Sequence, residues 1–449
     1  MKIILSFLLA FFVTGLFAQD IKTDPVQLDL QKSITLALEY NHDLKLARFE
    51  QMKADEQVNE AWGSSVFPKI SGFADYSRAL KKGVIIIDAP ELGFSGSFPQ
   101  GTDNTMTIGA TLEQPLFTGA IFLAVRVAKT YAEIQEKFVE ATQDEVIVNV
   151  NRAYYSVLLA EEVVDLEKMN LGLAEDNLKN TEAMFKAGVV PEYDYIRAKV
   201  QYQNLIPELQ QAENSYVLSK NLLKLVTGLD LETEIIVSDS LDLEEIPLTN
   251  QEEYDELLLS RNPALKQLEL NMSLTDDNIS YQFTKHFPEL YFVGNWQMQA
   301  QENDPRPFNN WRYNNAVFIG FNLRVPIFDG LQTTSKVEQA RIEFYKAQEQ
   351  YQKTASQLKN NLEDVLLSID QTKKQLESYR ATIEQAELAY DISQKRYASG
   401  VGTQLETIDA MVSLTRAQVN YFNSIYEYYI LYAQLDQLLA KKSEYQNQN

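Results

Sequence analysis

Residues 105–119 read TMTIGATLEQPLFTG, and residues 317–330 read VFIGFNLRVPIFDG. In the first, Met106, Ile108, Ala110 and Leu112 alternate with Thr105, Thr107, Gly109 and Thr111. In the second, Val317, Ile319, Phe321, Leu323 and Val325 alternate with Phe318, Gly320, Asn322 and Arg324. A period of two means a strand whose faces differ. Each stretch then closes on the same punctuation: Pro115, Phe117 and Gly119 return as Pro326, Phe328 and Gly330. Strand, punctuation and a long helical stretch, stated twice in one chain, decide the fold.

Outward from this pair the repetition continues. Asn41, Leu44 and Lys45 return as Asn262, Leu265 and Lys266, and Phe67-Pro68 returns as Phe287-Pro288. Phe185-Lys-Ala-Gly188 returns as Tyr397-Ala-Ser-Gly400. Such order implies a duplicated supersecondary unit rather than a compact enzyme around one cleft. A helix is expected over 30–62. Strands are expected over 69–77 and 105–113, with a Gly/Pro/Ser/Asp-rich loop from Arg78 to Asn104 between them. The second pair is expected over 290–299 and 316–325, with a shorter loop.

Each pair precedes a long helix. Val150, Val157, Val164, Leu171, Leu178 and Phe185 recur every seven residues, as do Leu362, Ile369, Leu376, Ile383, Tyr390 and Tyr397. Val337, Phe344, Tyr351, Leu358 and Val365 form a third such series. Sustained heptads call for helices packed side by side. At ~1.5 Å per residue these helices are roughly 100 Å long, far beyond a bilayer. They turn back at AGVVPEYDYIRA (187–198) and SGVGTQLETIDA (399–410). Gly188 and Gly400 suit a left-handed helix end, Pro191 suits the start of the next helix, and Pro207 is expected to kink it.

Composition narrows the function. The opening MKIILSFLLAFFVTGLFAQ reads as a secretory signal over 1–18. No later stretch suits a transmembrane helix, so any membrane span must use strands. A net charge of −23 disfavours nucleic acid. With no Cys and two His, neither disulfides nor a metal site are expected. No catalytic motif appears. Four strands cannot close a barrel around a lumen, so several copies must pool theirs. Soluble hairpins capping a helical rod are the other reading of the strands.

The order of ALEYNHDLKLAR (37–48) and RNPALKQLEL (261–270), FPKISGFADYS and FPELYFVGNW, LEQPLFTG and LRVPIFDG resembles the TolC family of outer-membrane efflux proteins. FKAGVVPEYDYIRAKVQY (185–202) and RYASGVGTQLETIDAMVSL (396–414) complete the resemblance. It implies a mainly α chain with a membrane β-barrel. A homotrimer would form a 12-stranded barrel in outer-membrane lipid, on an α-helical periplasmic tunnel. The division would be signal 1–18, first repeat 19–227, connection 228–260, second repeat 261–440 and polar tail 441–449. The implied function is a passive duct in a tripartite efflux or type I secretion system. It would work with a periplasmic adaptor (membrane fusion protein) and an inner-membrane pump, without cofactor or catalysis. The alternative is a periplasmic coiled-coil adaptor or structural protein.

The resemblance also points to residues. Glu406 and Asp409 match the family's acidic entrance ring, with Asp194 as the first-repeat counterpart of Glu406. Glu406 and Asp409 equally suit solvated acids at a helix start. Tyr397 matches a gating tyrosine, and its heptad position equally suits a core residue. The family's gating arginine falls on Gly402, so that link is missing. Gly188, Val189, Gly400 and Val401 match the turns where the adaptor docks.

Overall fold

The computed structural model describes residues 25–441 except positions 249 and 305. The expected signal over 1–18 and the tail residues 442–449 lie outside the described residues. In chain order come β1 (Val26–Leu28), α1 (Leu30–Tyr40), α2 (His42–Val66), β2 (Lys69–Arg78), β3 (Gly83–Ala89), β4 (Phe94–Gln100) and β5 (Asn104–Phe117). Then follow α3 (Ile121–Lys186), α4 (Glu192–Thr227), β6 (Ile235–Val237), α5 (Gln251–Arg261) and α6 (Pro263–Thr284). The chain continues with β7 (Glu289–Glu302), β8 (Tyr313–Arg324), α7 (Gln332–Ala398) and α8 (Gln404–Leu438). It divides into two compact units, one from residues up to 39, 150–243 and 379–426, the other from 40–149, 244–378 and 427 onward.

The second of these units holds an antiparallel sheet of four strands in the order β2-β5-β7-β8. Register fixes its faces, because directly paired residues point the same way. Ile70 pairs with Leu112, Leu112 with Gly294, and Gly294 with Ile319; Ala110 pairs with Trp296, and Trp296 with Val317. Met298, Phe292, Phe321 and Leu323 share this side, which is mainly apolar, with Arg78, Asn104, Gln114, Glu302 and Asn315 toward its ends. The other side is more polar, with Ser71, Asp75, Thr105, Thr107, Thr111, Asn295, Gln297, Gln299, Asn314 and Asn322, interrupted by Phe73, Tyr291, Val293 and Phe318. Val317, Ile319, Phe321 and Leu323 are nevertheless solvent-exposed in one chain. Among the described residues no helix is long and apolar enough to cross a membrane.

In this unit α3, α6 and α7 are linked in turn. Arg126 of α3 pairs with Asp277 of α6 at 2.5 Å, and Glu269 of α6 accepts from Tyr351 of α7 at 3.5 Å. The segment after β6 is strapped to α8. Ile246 donates its N–H to Tyr428 Oη at 2.9 Å and accepts from Tyr432 Oη at 2.7 Å. Lys373 sits over both tyrosine rings.

The other unit packs the distal parts of α3 and α7 with α4 and the first part of α8. Val150, Val157 and Val164 are buried as the heptads require, and so is Tyr397. Farther along α3 the buried line passes to Ala174 and Thr181, while Leu178 and Phe185 are half-buried. An α-helix slips against a strict seven-residue repeat, which accounts for that drift. A cluster of Ala174, Leu205 and Met411, with Tyr202 and Tyr390 against it, joins all four helices. β1 pairs in parallel with β6, and Tyr154 donates its hydroxyl to Asp239 in the segment that follows.

Two sequence expectations need correction. The helix over 30–62 is two helices. Asn41 ends the first, and its Oδ1 accepts from Asp43 N at 2.9 Å and Leu44 N at 3.1 Å, capping the second. Asn262 repeats the break between α5 and α6. The loop between Arg78 and Asn104 contains a hairpin of β3 and β4. There the β-branched run Val84-Ile-Ile-Ile87 outweighs the surrounding turn residues. Within the connection over 228–260, the β-like EIIVS (234–238) forms β6, and most of α5 follows it. α4 stays helical through Pro207.

Candidate functional site

Both long helices end on the same turn chemistry. In the first, Gly188 has φ 75°, Gly188 N donates to Phe185 O at 2.9 Å, and Val189 N reaches back to Met184 O at 2.9 Å. In the second, Gly400 has φ 75°, Gly400 N donates to Tyr397 O at 3.0 Å, and Val401 N donates to Arg396 O at 3.1 Å. These bonds satisfy carbonyls that a helix end otherwise leaves open. A left-handed φ suits glycine at each place. Each turn leaves a valine exposed, Val189 at 65% and Val401 at 71%. Phe185 and Tyr195 stack across the first turn with centroids 5.7 Å apart.

Tyr397 is in the core, 7% exposed, and it also links helices. Its hydroxyl lies 3.4 Å from Thr181 Oγ1 on α3, and Thr181 is fully buried. Burial pushes the Tyr397 phenol up from its usual range, the Thr181 bond opposes this, and the Asp194 charge adds to it. Of the three acids, Asp194 is the one whose charge reaches the tyrosine. It is half-buried, whereas Glu406 and Asp409 are exposed. Glu406 opens α8, where Thr403 Oγ1 accepts from its N–H at 3.3 Å. Its carboxylate faces Arg396 Nη2 at 3.7 Å. Asp409, one turn on, carries no ion pair among the described residues. Arg197, at the first-repeat place of Asp409, lies over the Tyr193 ring.

Three participants escape sequence reading. Arg396 lies six residues before Gly402, in the preceding turn of helix. Thr181 shows its role only once α3 and α7 are packed. Gln404 is 1% exposed, with both side-chain amide atoms buried and unpartnered among the described residues. With Ser393 and Thr407 it makes the core near the turns polar. Thr407 donates to Ser393 O at 3.4 Å. Among the described residues no three His, Cys, Asp or Glu side chains gather as metal ligands do.

The sequence model of the family described as outer membrane efflux protein matches residues 33–229 and 256–441. The chain is 24% identical over 354 residues to the outer membrane protein TolC of Vibrio cholerae, covering 78% of this chain and 80% of the relative. It is 20% identical to the alkaline protease secretion protein AprF of Pseudomonas aeruginosa, over 94% of this chain and 86% of that one. Among solved structures, the Campylobacter jejuni CmeC outer membrane channel superposes with a TM-score of 0.75 at 21% identity, covering 93% of this chain and 88% of that one.

Proposed function

The chain belongs to the outer membrane efflux protein family, and from that membership we propose how one copy builds its share of a duct. The protein is the outer-membrane channel component of an efflux or secretion system. Its family transports and is not one of enzymes. Three copies pool their sheets into a twelve-stranded barrel, four strands from each. The single observation that carries this is the two-faced sheet with two open edges. Its apolar side suits lipid, its Thr, Gln and Asn side suits a wet lumen, and open edges are not tolerated against lipid. About eight strands, as from two copies, would leave a barrel filled with side chains.

The seam between copies runs from β8 and α7 of one to β2 and α2 of the next. Leu46, Phe49 and Met52 on α2, and Ile342 and Tyr345 on α7, are exposed apolar residues that such a seam would cover. The two repeats, 19–227 and 261–440, each supply two strands and one helical hairpin, joined through 228–260. The long helices form the periplasmic tunnel. Its entrance lies at the turns, lined by Glu406 and Asp409, with Asp194 behind Tyr397. A periplasmic adaptor docks on Gly188, Val189, Gly400 and Val401, and an inner-membrane pump supplies the energy.

The test is planar-bilayer conductance of protein extracted from outer membranes. Cation-selective steps are expected, with selectivity reduced in Glu406→Gln/Asp409→Asn. Steps that prefer anions, or a double variant identical to wild type, would overturn the acidic entrance.

A further inference from the structure

The geometry points to Arg396 as the residue that sets how much negative charge the entrance presents; this rests on the entrance reading above. Gly402 allows no side chain. A Cβ there would lie 2.9 Å from Arg396 Cβ, 3.0 Å from Tyr397 N and 3.1 Å from Arg396 C. Two of those atoms are backbone and cannot swing aside. Gly402 N is also held to Arg396 O at 3.0 Å, beside the bond from Val401 N. The turn is thus drawn tightly over the last turn of α7, and no cation can be offered from position 402.

The cation comes instead from Arg396. Its Nη2 lies 3.7 Å from Glu406 Oε2 and 3.5 Å from Val401 O, so the side chain reaches over the turn toward the start of α8. Its neighbour Lys395 points elsewhere, engaged with Asp391 at 2.6 Å one turn back along α7. Each copy then holds two entrance acids and one guanidinium, which faces Glu406. Glu406 is compensated within its own hairpin, and Asp409 supplies the free charge.

An exposed pair of this kind adds little to stability, because water screens it. Its weight is on the ions that pass, since a fixed charge acts over the ~8–10 Å Debye length at ordinary ionic strength.

Reversal potentials under a salt gradient, in planar bilayers, test the assignment. Arg396→Gln frees Glu406 and should raise cation-over-anion selectivity by roughly threefold at low salt, with the gain shrinking in high salt. Glu406→Gln leaves Arg396 uncompensated and should lower selectivity. Arg396→Gln/Glu406→Gln should return to wild type, because both charges of the pair leave together. Arg396→Lys and Lys395→Gln should stay at wild type. If Glu406→Gln lowers selectivity while Arg396→Gln leaves it unchanged, or if Lys395→Gln acts like Arg396→Gln, the assignment is wrong and the acidic entrance stands. If neither Glu406→Gln nor Asp409→Asn has any effect, the entrance reading itself has failed.

Discussion

Asn262 accepts from Ala264 N at 3.0 Å and Leu265 N at 3.3 Å, and it donates Nδ2 to Leu438 O at 3.0 Å. It therefore caps α6 and ties that start to the end of α8. Asn262→Ala should cost about 1 kcal/mol for the cap and about 1 kcal/mol for the second bond. Asn262→Asp keeps the acceptor and should lose only the second part; melting of the detergent-extracted protein reads both. Asp436 gives a pH-dependent counterpart. Burial raises its carboxyl above the usual range, while the Lys441 charge pulls it back. Between the unfolded and folded values the folded state binds more protons, so stability falls as pH rises through that window. Asp436→Asn should melt above wild type at pH 8, with the difference closing below the ordinary carboxylate range. Sequence displayed Asn41 and Asn262 as landmarks of a repeat, but their role as helix breaks depends on side-chain geometry that repetition does not carry. Arg396 stayed hidden for a related reason, since its partner Glu406 is met only across the turn.

At the scale of elements, β5 holds the sheet's tightest point. A Cβ on Gly109 would stand 2.6 Å from Phe73 Cζ and 2.7 Å from Trp296 O, whereas one on Gly294 meets only Leu112 Cβ at 3.6 Å. The Trp296 carbonyl belongs to the β5–β7 ladder and cannot yield. Gly109→Ala should sharply reduce recovery of folded protein from outer membranes, and Gly294→Ala should not. Near the turns, Gln404 leaves two buried amide atoms without partners among the described residues. An apolar side chain of similar size removes that cost, so Gln404→Met should stabilise the protein by about 1–2 kcal/mol. The four long strands, both long helices and both glycine turns were legible because period and punctuation are local properties. β3 and β4 were not, because turn-forming neighbours mask four β-branched residues. β1 was not legible either, as its ladder partner, β6, lies more than two hundred residues away.

For the whole molecule, the decisive property is incompleteness. The sheet pairs β2, β5, β7 and β8 and stops, with an apolar side that one chain leaves exposed. Sequence foretold four strands and the alternating faces of three of them, and family membership supplies the outer membrane. The family resemblance implies three copies, and a wall closed around an open bore needs more than two. The chain's lack of cysteine makes the seam convenient to probe. Paired cysteines placed in β2 and β8 should cross-link between copies on oxidation and not within one, visible as ladders on denaturing gels. The most direct measurement is the native mass of protein released from outer membranes in mild detergent. Three copies of the mature chain are predicted. A stable assembly of one or two copies would contradict the account, because neither leaves a bore through the barrel.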